Sequence, residues 1–165
     1  MEDSPERVEQ LKTLSALLRE ENTLALATVD EQGEVSVAPL FYLVDEDLCL
    51  FWLSSPSCLH SKNLKKMPRA AATVYRHTEN WNEIRGVQMR GLVTVITDRR
   101  RRRLLIKNYS SRFKLGTLFI SAISRCNLYE FRPDFFRLID NSKGVGRKFE
   151  LIPENGEDRS SSRGL

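Results

Sequence analysis

Apolar side chains recur along this chain with two different periods. From Val8, the steps to Leu11, Leu14 and Leu18 are 3, 3 and 4 residues, with Leu17 beside them. Such steps keep one stripe of a helix apolar. Ahead of the stripe, Ser4-Pro5-Glu6 offers a capping hydroxyl, a proline for the first turn and an acid at the positive end of the helix dipole. The pattern predicts an amphipathic helix running to about Asn22.

The period then falls to two. Leu24–Val29, Val35–Val44 and Leu48–Leu53 read as strands of a meander, joined by turns at Asp30-Glu31-Gln32-Gly33 and Asp45-Glu46-Asp47. Pro39 has no N–H to give a ladder, so it marks an edge or a bulge. Ser54-Ser55-Pro56-Ser57 breaks the third strand, and Cys58–Met67 reads as a short helix stopped by Pro68. Arg69–His77 and Ile84–Ile96 are the fourth and fifth strands, the latter with Gly86 and Gly91 as sites for bulges. Thr97 or Asp98 caps a helix through Tyr109, and Leu115–Ile123 is a further helical stretch. Leu128–Ile139 is the sixth strand, with Pro133 as a second edge or bulge mark. Six strands with helices between them predict a mainly β (α+β) fold, an antiparallel barrel with a local opening, because closure removes exposed edges.

At 165 residues the chain fits one domain. Residues 1–152 are taken as that domain, and 153–165 as a flexible polar tail. Hydrophobic residues make up 41% and charged residues 29%, an ordinary globular mix. No apolar run approaches the roughly 20 residues that cross a bilayer. The acidic start lacks the basic region of a secretory signal, so a soluble cytoplasmic protein is expected. Cys49, Cys58 and Cys126 are odd in number and form no C-x-x-C pair, which argues against a disulfide framework and against a structural metal site. His60 and His77 are the only histidines, and no nucleophile elbow, Walker loop, dinucleotide fingerprint or zinc-protease motif is present.

Charge is unevenly spread around a net +4. Residues 1–50 carry 12 acidic and 3 basic side chains, whereas 98–125 carry 9 basic and 1 acidic. Such asymmetry points to an anionic ligand, or to one end of a dimer complementing the other.

Two stretches carry candidate chemistry. In Phe51–Leu64 a strand delivers hydroxyls to a loop that opens a helix. Ser54, Ser55, Ser61 and Lys62 there could hold a phosphate, and a plain helix cap is the alternative. In Ile84–Gly91, strand alternation sets Gly86, Gln88 and Arg90 on one face, a ligand-facing edge or simply a solvated one.

Both stretches, in order and spacing, resemble the flavin-binding split-barrel superfamily, related in fold to pyridoxamine 5'-phosphate oxidase. The nearest likeness is to its YhbP-like bacterial subgroup. The resemblance also draws on Ala38-Pro39-Leu40-Phe41-Tyr42-Leu43, Pro68-Arg69-Ala70-Ala71, Phe136–Ser142 and Gly144–Lys148, and spans about Glu6 to Leu151. It implies a six-stranded antiparallel split β-barrel with Greek-key connections and flanking helices. It implies a homodimer with flavin mononucleotide (FMN) at the subunit interface. The phosphate would lie near Ser61 and Lys62, with Ser54 and Ser55 helping. The isoalloxazine would rest on the backbone of Leu40, Phe41 and Tyr42 beside Trp52, with Gln88 and Arg90 as polar partners. Redox chemistry would then belong to the cofactor, which accounts for the lack of an evident catalytic residue.

Departures from the family pattern bound the function. The oxidase's carboxy-terminal substrate motif and its R-x-V-L-L-K flavin motif are both absent, the latter replaced by Ala38–Leu43, so pyridoxamine phosphate oxidation is not expected. Relatives that degrade haem use a histidine near the carboxy terminus, and none follows His77. Relatives that use a deazaflavin remain open. The expectation is an FMN-dependent oxidoreductase of unidentified small substrate, with a flavin-binding or sensing protein without turnover as alternative. The run Arg99–Arg103 lacks interleaved aromatics, so nucleic acid is a disfavoured partner, and a solvated or dimer-contacting face is the simpler reading.

Overall fold

The computed structural model describes residues 4–116, 122–144 and 146–153. Helix α1 (Pro5–Glu20) starts where its cap predicts, with Ser4 Oγ accepting from the Arg7 N–H at 3.3 Å. It buries Leu14, Leu17 and Leu18 against the sheet.

The strands are β1 (Thr23–Val29), β2 (Val35–Phe41), β3 (Leu43–Val44), β4 (Leu50–Ser54), β5 (Arg69–Tyr75), β6 (Arg85–Val95), β7 (Asn127–Asp140) and β8 (Lys148–Leu151). Helix α2 (Leu59–Lys66) joins β4 to β5, and α3 (Arg99–Arg112) lies between β6 and β7. All pair antiparallel in one sheet of order β2-β1-β5-β6-β7-β4-β3, with β8 beside the second half of β7. Strand β4 sits next to β7 rather than β5, which is the Greek-key crossing.

The ends of that order, β2 and β3, are separated in the chain by Tyr42 alone. Two peptide links reach at most about 7.6 Å. The sheet must therefore roll until its ends meet, giving a barrel split at Tyr42. That residue is pinned twice, its N–H donating to Asn22 O at 3.2 Å and its hydroxyl to Leu18 O at 2.7 Å. The reading of Val35–Val44 as one strand is thus corrected to two, because the chain changes neighbours at Tyr42. With β8 added, the barrel has eight strands instead of six.

Both strand prolines stand where a missing donor is tolerated. Pro39 lies on β2, which pairs with β1 alone. Pro133 lies at a β-bulge, where the β6–β7 register shifts between Arg90 and Gly91 and Asp134 is the extra residue. Gly91 is required there, since a Cβ would fall 2.1 Å from Arg132 O.

The inner faces pack one core around Leu24, Leu26, Trp52, Met89, Phe131 and Phe136. A smaller cluster of Phe51, Ile96 and Leu128 lies beneath Leu105 of α3. Of the expected helix Leu115–Ile123, residues 117–121 lie outside the described residues, as does the tail from 154 onward.

Candidate cofactor site

Three side chains fix α2 on the barrel end. Leu64 enters the core. Asn63 Nδ2 donates to Thr28 Oγ1 at 3.1 Å and to Ser36 Oγ at 3.2 Å, tying the helix to β1 and β2. His60 is 9% exposed, and its Nε2 lies 2.8 Å from Ser54 Oγ. Burial lowers the His60 pKa, so the imidazole stays neutral and holds the loop to the end of β4. Cys58 occupies the N-cap of α2 without a side-chain cap bond.

Ser61 follows in the first turn at 4% exposure, and its Oγ has no hydrogen-bond partner among the described residues. It lines a hollow of about 420 Å³ with Lys62, Lys65, Thr94, Asn127 and Tyr129. Tyr129 is stacked on Trp52, with ring centres 5.7 Å apart and planes 17° from parallel. Trp52 is wholly buried, so its part is to set the floor beneath Tyr129. The other two serines are engaged within the loop. Ser54 meets His60, and Ser55 Oγ lies 2.7 Å from Ser57 Oγ and accepts from the Ser57 N–H at 3.2 Å.

Gln88 and Arg90 lie elsewhere. They face outward from β6 into a groove of about 550 Å³, floored by Ala25, Ala27 and Ala71. The Arg90 guanidinium sits 4.3 Å over the Phe135 ring. Arg137 shares that ring at 5.5 Å, and Glu150 holds it at 2.7 Å. Along β6 the exposed residues Gln88, Arg90, Leu92 and Thr94 alternate with buried Val87, Met89 and Val93. Thr94, the last of that exposed row, lines the Ser61 hollow together with Val93 and Tyr129, which belong to the core. Leu40, Phe41 and Tyr42 line neither hollow. The Phe41 carbonyl accepts from Tyr109 Oη at 3.1 Å, and its ring packs against Phe113.

The arginine run divides. Arg101 donates to both carboxylate oxygens of Glu130, at 3.2 and 2.5 Å, and Arg102 Nη2 donates to Cys126 O at 2.8 Å. Glu130 is buried, and Arg132 also reaches it at 3.3 Å. Sequence reading missed this pair. Strand alternation could have flagged Glu130, a carboxylate between the apolar residues Tyr129 and Phe131 in a strand buried on both faces. Among the described residues no group of acids, cysteines and histidines could hold a metal. Cys49 is pushed up to about 12, first by burial and then by Asp45, so it remains a thiol.

The chain has relatives among known proteins. Residues 11–134 match the family model described as pyridoxamine 5'-phosphate oxidase. The chain belongs to this family. Within it the similarity is to UPF0306 proteins. The relative from Enterobacter sp. (strain 638) is 30% identical over 129 residues, 75% of this chain and 84% of that protein. YhbP from Escherichia coli O157:H7 is 25% identical over 154 residues, 93% of this chain and 100% of that one. Solved structures share the pyridoxamine 5'-phosphate oxidase-like fold. ChuZ of Campylobacter jejuni has a TM-score of 0.75 at 17% identity, over 92% of this chain and 62% of its own. HutZ of Vibrio cholerae, described as a heme storage protein, has a TM-score of 0.64 at 17% identity, over 86% and 92%.

Proposed function

We propose that this protein binds FMN at the seam of a homodimer and works as a flavin-dependent oxidoreductase on a small substrate, distinct from pyridoxamine 5'-phosphate. The observation that carries the reading is the buried, unpartnered Ser61 hydroxyl in a hollow flanked by Lys62 and Lys65. A buried polar group without a partner is costly, and a phosphate oxygen would accept its proton. The two ammonium groups would balance a phosphate's charge, and the N-cap Cys58 leaves first-turn N–H groups of α2 without a side-chain acceptor. The residues thus fit the phosphate end of the nucleotide. Gln88 and Arg90, further along β6, would face its polar ring edge.

The groove opens beside exposed Val37 of β2, and Val35 of β2 and Leu92 of β6 are exposed as well. A second copy seated on this face would bury those side chains and exclude water from a bound ring. When bound, the flavin supplies the electron-transfer chemistry. The chain's own groups hold the phosphate, orient the ring and set the charge near its polar edge. Three free cysteines suit the reducing cytoplasm, the compartment expected for this chemistry.

Fluorescence titration with FMN tests the reading. Lys62→Ala removes one charge-assisted contact, worth about 1.5–3 kcal/mol, so the Kd should rise roughly 10- to 150-fold. Ser61→Ala should weaken binding by a smaller factor, and unchanged affinity in both variants removes the phosphate assignment. Anaerobic NADPH or NADH then separates turnover from binding. Bleaching of bound flavin supports an oxidoreductase, and unbleached flavin supports a sensing protein. A haem absorbance band with no flavin bound would replace the cofactor altogether.

A further inference from the structure

The groove beside β6 holds a cation that the fold leaves unbalanced. Arg69 and Arg137 flank Arg90 on the outer face of the sheet, and each already holds a carboxylate. Arg69 is 2.7 Å from Asp134, the extra residue of the β7 bulge, and Arg137 is 2.7 Å from Glu150 of β8. Arg90 itself makes no hydrogen bond or ion pair among the described residues. The Phe135 ring supports its guanidinium at 4.3 Å, but a ring supplies no oxygen acceptor for its five N–H donors. The side-chain amide of Gln88, two residues away on the same face, is also without a partner among the described residues.

The register shapes the space in front of this cation. Val37, Ala27, Ala71, Arg90 and Phe135 stand opposite one another in a single row across β2, β1, β5, β6 and β7. Neighbouring strands lie about 4.8 Å apart, so the two alanines leave a gap of about 14 Å between the strand positions of Val37 and Arg90. In the next row Ala25 and Thr73 lead to Gln88, Arg137 and Glu150. The result is a groove of about 550 Å³ with a floor of methyl groups, wide enough for a flat ring beside the guanidinium. The strands beneath it are paired on both sides, so their backbone N–H groups are spent in the ladders. One planar fork with a single unbalanced charge matches a carboxylate, whereas a phosphate dianion calls for more donors than this face offers.

We propose that this groove binds a small, flat monocarboxylate, with its acid group on Arg90 and Gln88 and its apolar body on the alanine floor. Taking that acid as the substrate class of the oxidoreductase rests on the flavin reading, and the binding site itself does not. The donors of Arg90 and Gln88 together exceed what one ring edge uses, so the pair can serve cofactor and acid at once.

Calorimetry with benzoate as the probe, on FMN-free and FMN-loaded protein, compares wild type with Arg90→Gln and Arg90→Lys. Wild type should bind benzoate, and R90Q about tenfold or more weakly. R90K keeps the charge without the fork and should fall between them. Benzamide, similar in shape but uncharged, should bind wild type about tenfold or more weakly than benzoate does. No binding of benzoate by wild type, or equal benzoate affinity in wild type and R90Q, overturns the proposal. Equal affinity of wild type for benzoate and benzamide does so too. Phenyl phosphate that competes with benzoate and binds more tightly overturns the carboxylate class. Loss of benzoate binding once FMN is loaded overturns the substrate assignment, since the groove would then belong to the cofactor. If no FMN is taken up but wild type and R90Q still differ, the groove stands and the flavin reading falls. Should R90Q shift the urea midpoint, Ala71→Leu, which fills the floor and keeps Arg90, should weaken benzoate by the same tenfold, and unchanged affinity there overturns the proposal.

Discussion

Individual side chains here act mostly as fasteners, and their contributions can be separated. Replacing Arg101 with Leu leaves the buried Glu130 carboxylate without its two-pronged partner. Arg132 remains nearby, so the loss should be roughly 1.5–3 kcal/mol, read as a lower urea midpoint. His60 gives a pH signature. Burial holds its folded pKa below the ordinary 6.5, so the unfolded chain takes up a proton first as pH falls. The stability contributed by neutral His60 is complete above about pH 6.5 and drains as pH drops towards the lower folded value. Urea midpoints at pH 7.5 and 5.5 should differ more in wild type than in His60→Gln, and equal differences would refute this role. The sequence marked His60 as adjoining Ser61-Lys62 but could not show its bond to Ser54, because that contact depends on how the loop folds back. Ser61 was legible as a candidate for the same reason that Ser54 and Ser55 were, by hydroxyls ahead of a helix. Only packing distinguishes the unpartnered hydroxyl from the two already engaged.

At the scale of elements, periodicity located α1, α2, α3, β1, β4, β5, β6 and β7 within a few residues, and the prolines and glycines marked the irregular points. Gly91 is the sharpest case. Its missing Cβ lets Arg132 O approach, so Gly91→Ala should cost about 3 kcal/mol or more, or prevent folding. Gly86→Ala is the contrast, since its nearest neighbour would be Tyr75 Cβ at 3.3 Å, and it should be markedly milder in thermal unfolding. Equal effects would mean the bulge is not rigid. The break at Tyr42 was not legible. Alternation continues on either side of it, and the change of neighbours depends on contacts to Asn22 and Leu18 that lie about 20 positions away in the chain. Strand β8 was missed because Lys148–Leu151 is only four residues long, two of them apolar, and its pairing with β7 depends on how the chain folds back.

At the scale of the whole molecule, the sheet rolls because consecutive strands sit at its two ends, and rolling brings α2, the end of β6 and the start of β7 around one hollow. The candidate residues divide between hollow and groove, both of which are lined by β6. The most direct measurement is the stoichiometry of FMN bound to the purified protein, taken by absorbance titration together with solution mass. The account predicts a yellow dimer carrying one FMN per chain. A monomer that stays colourless in excess FMN would contradict it.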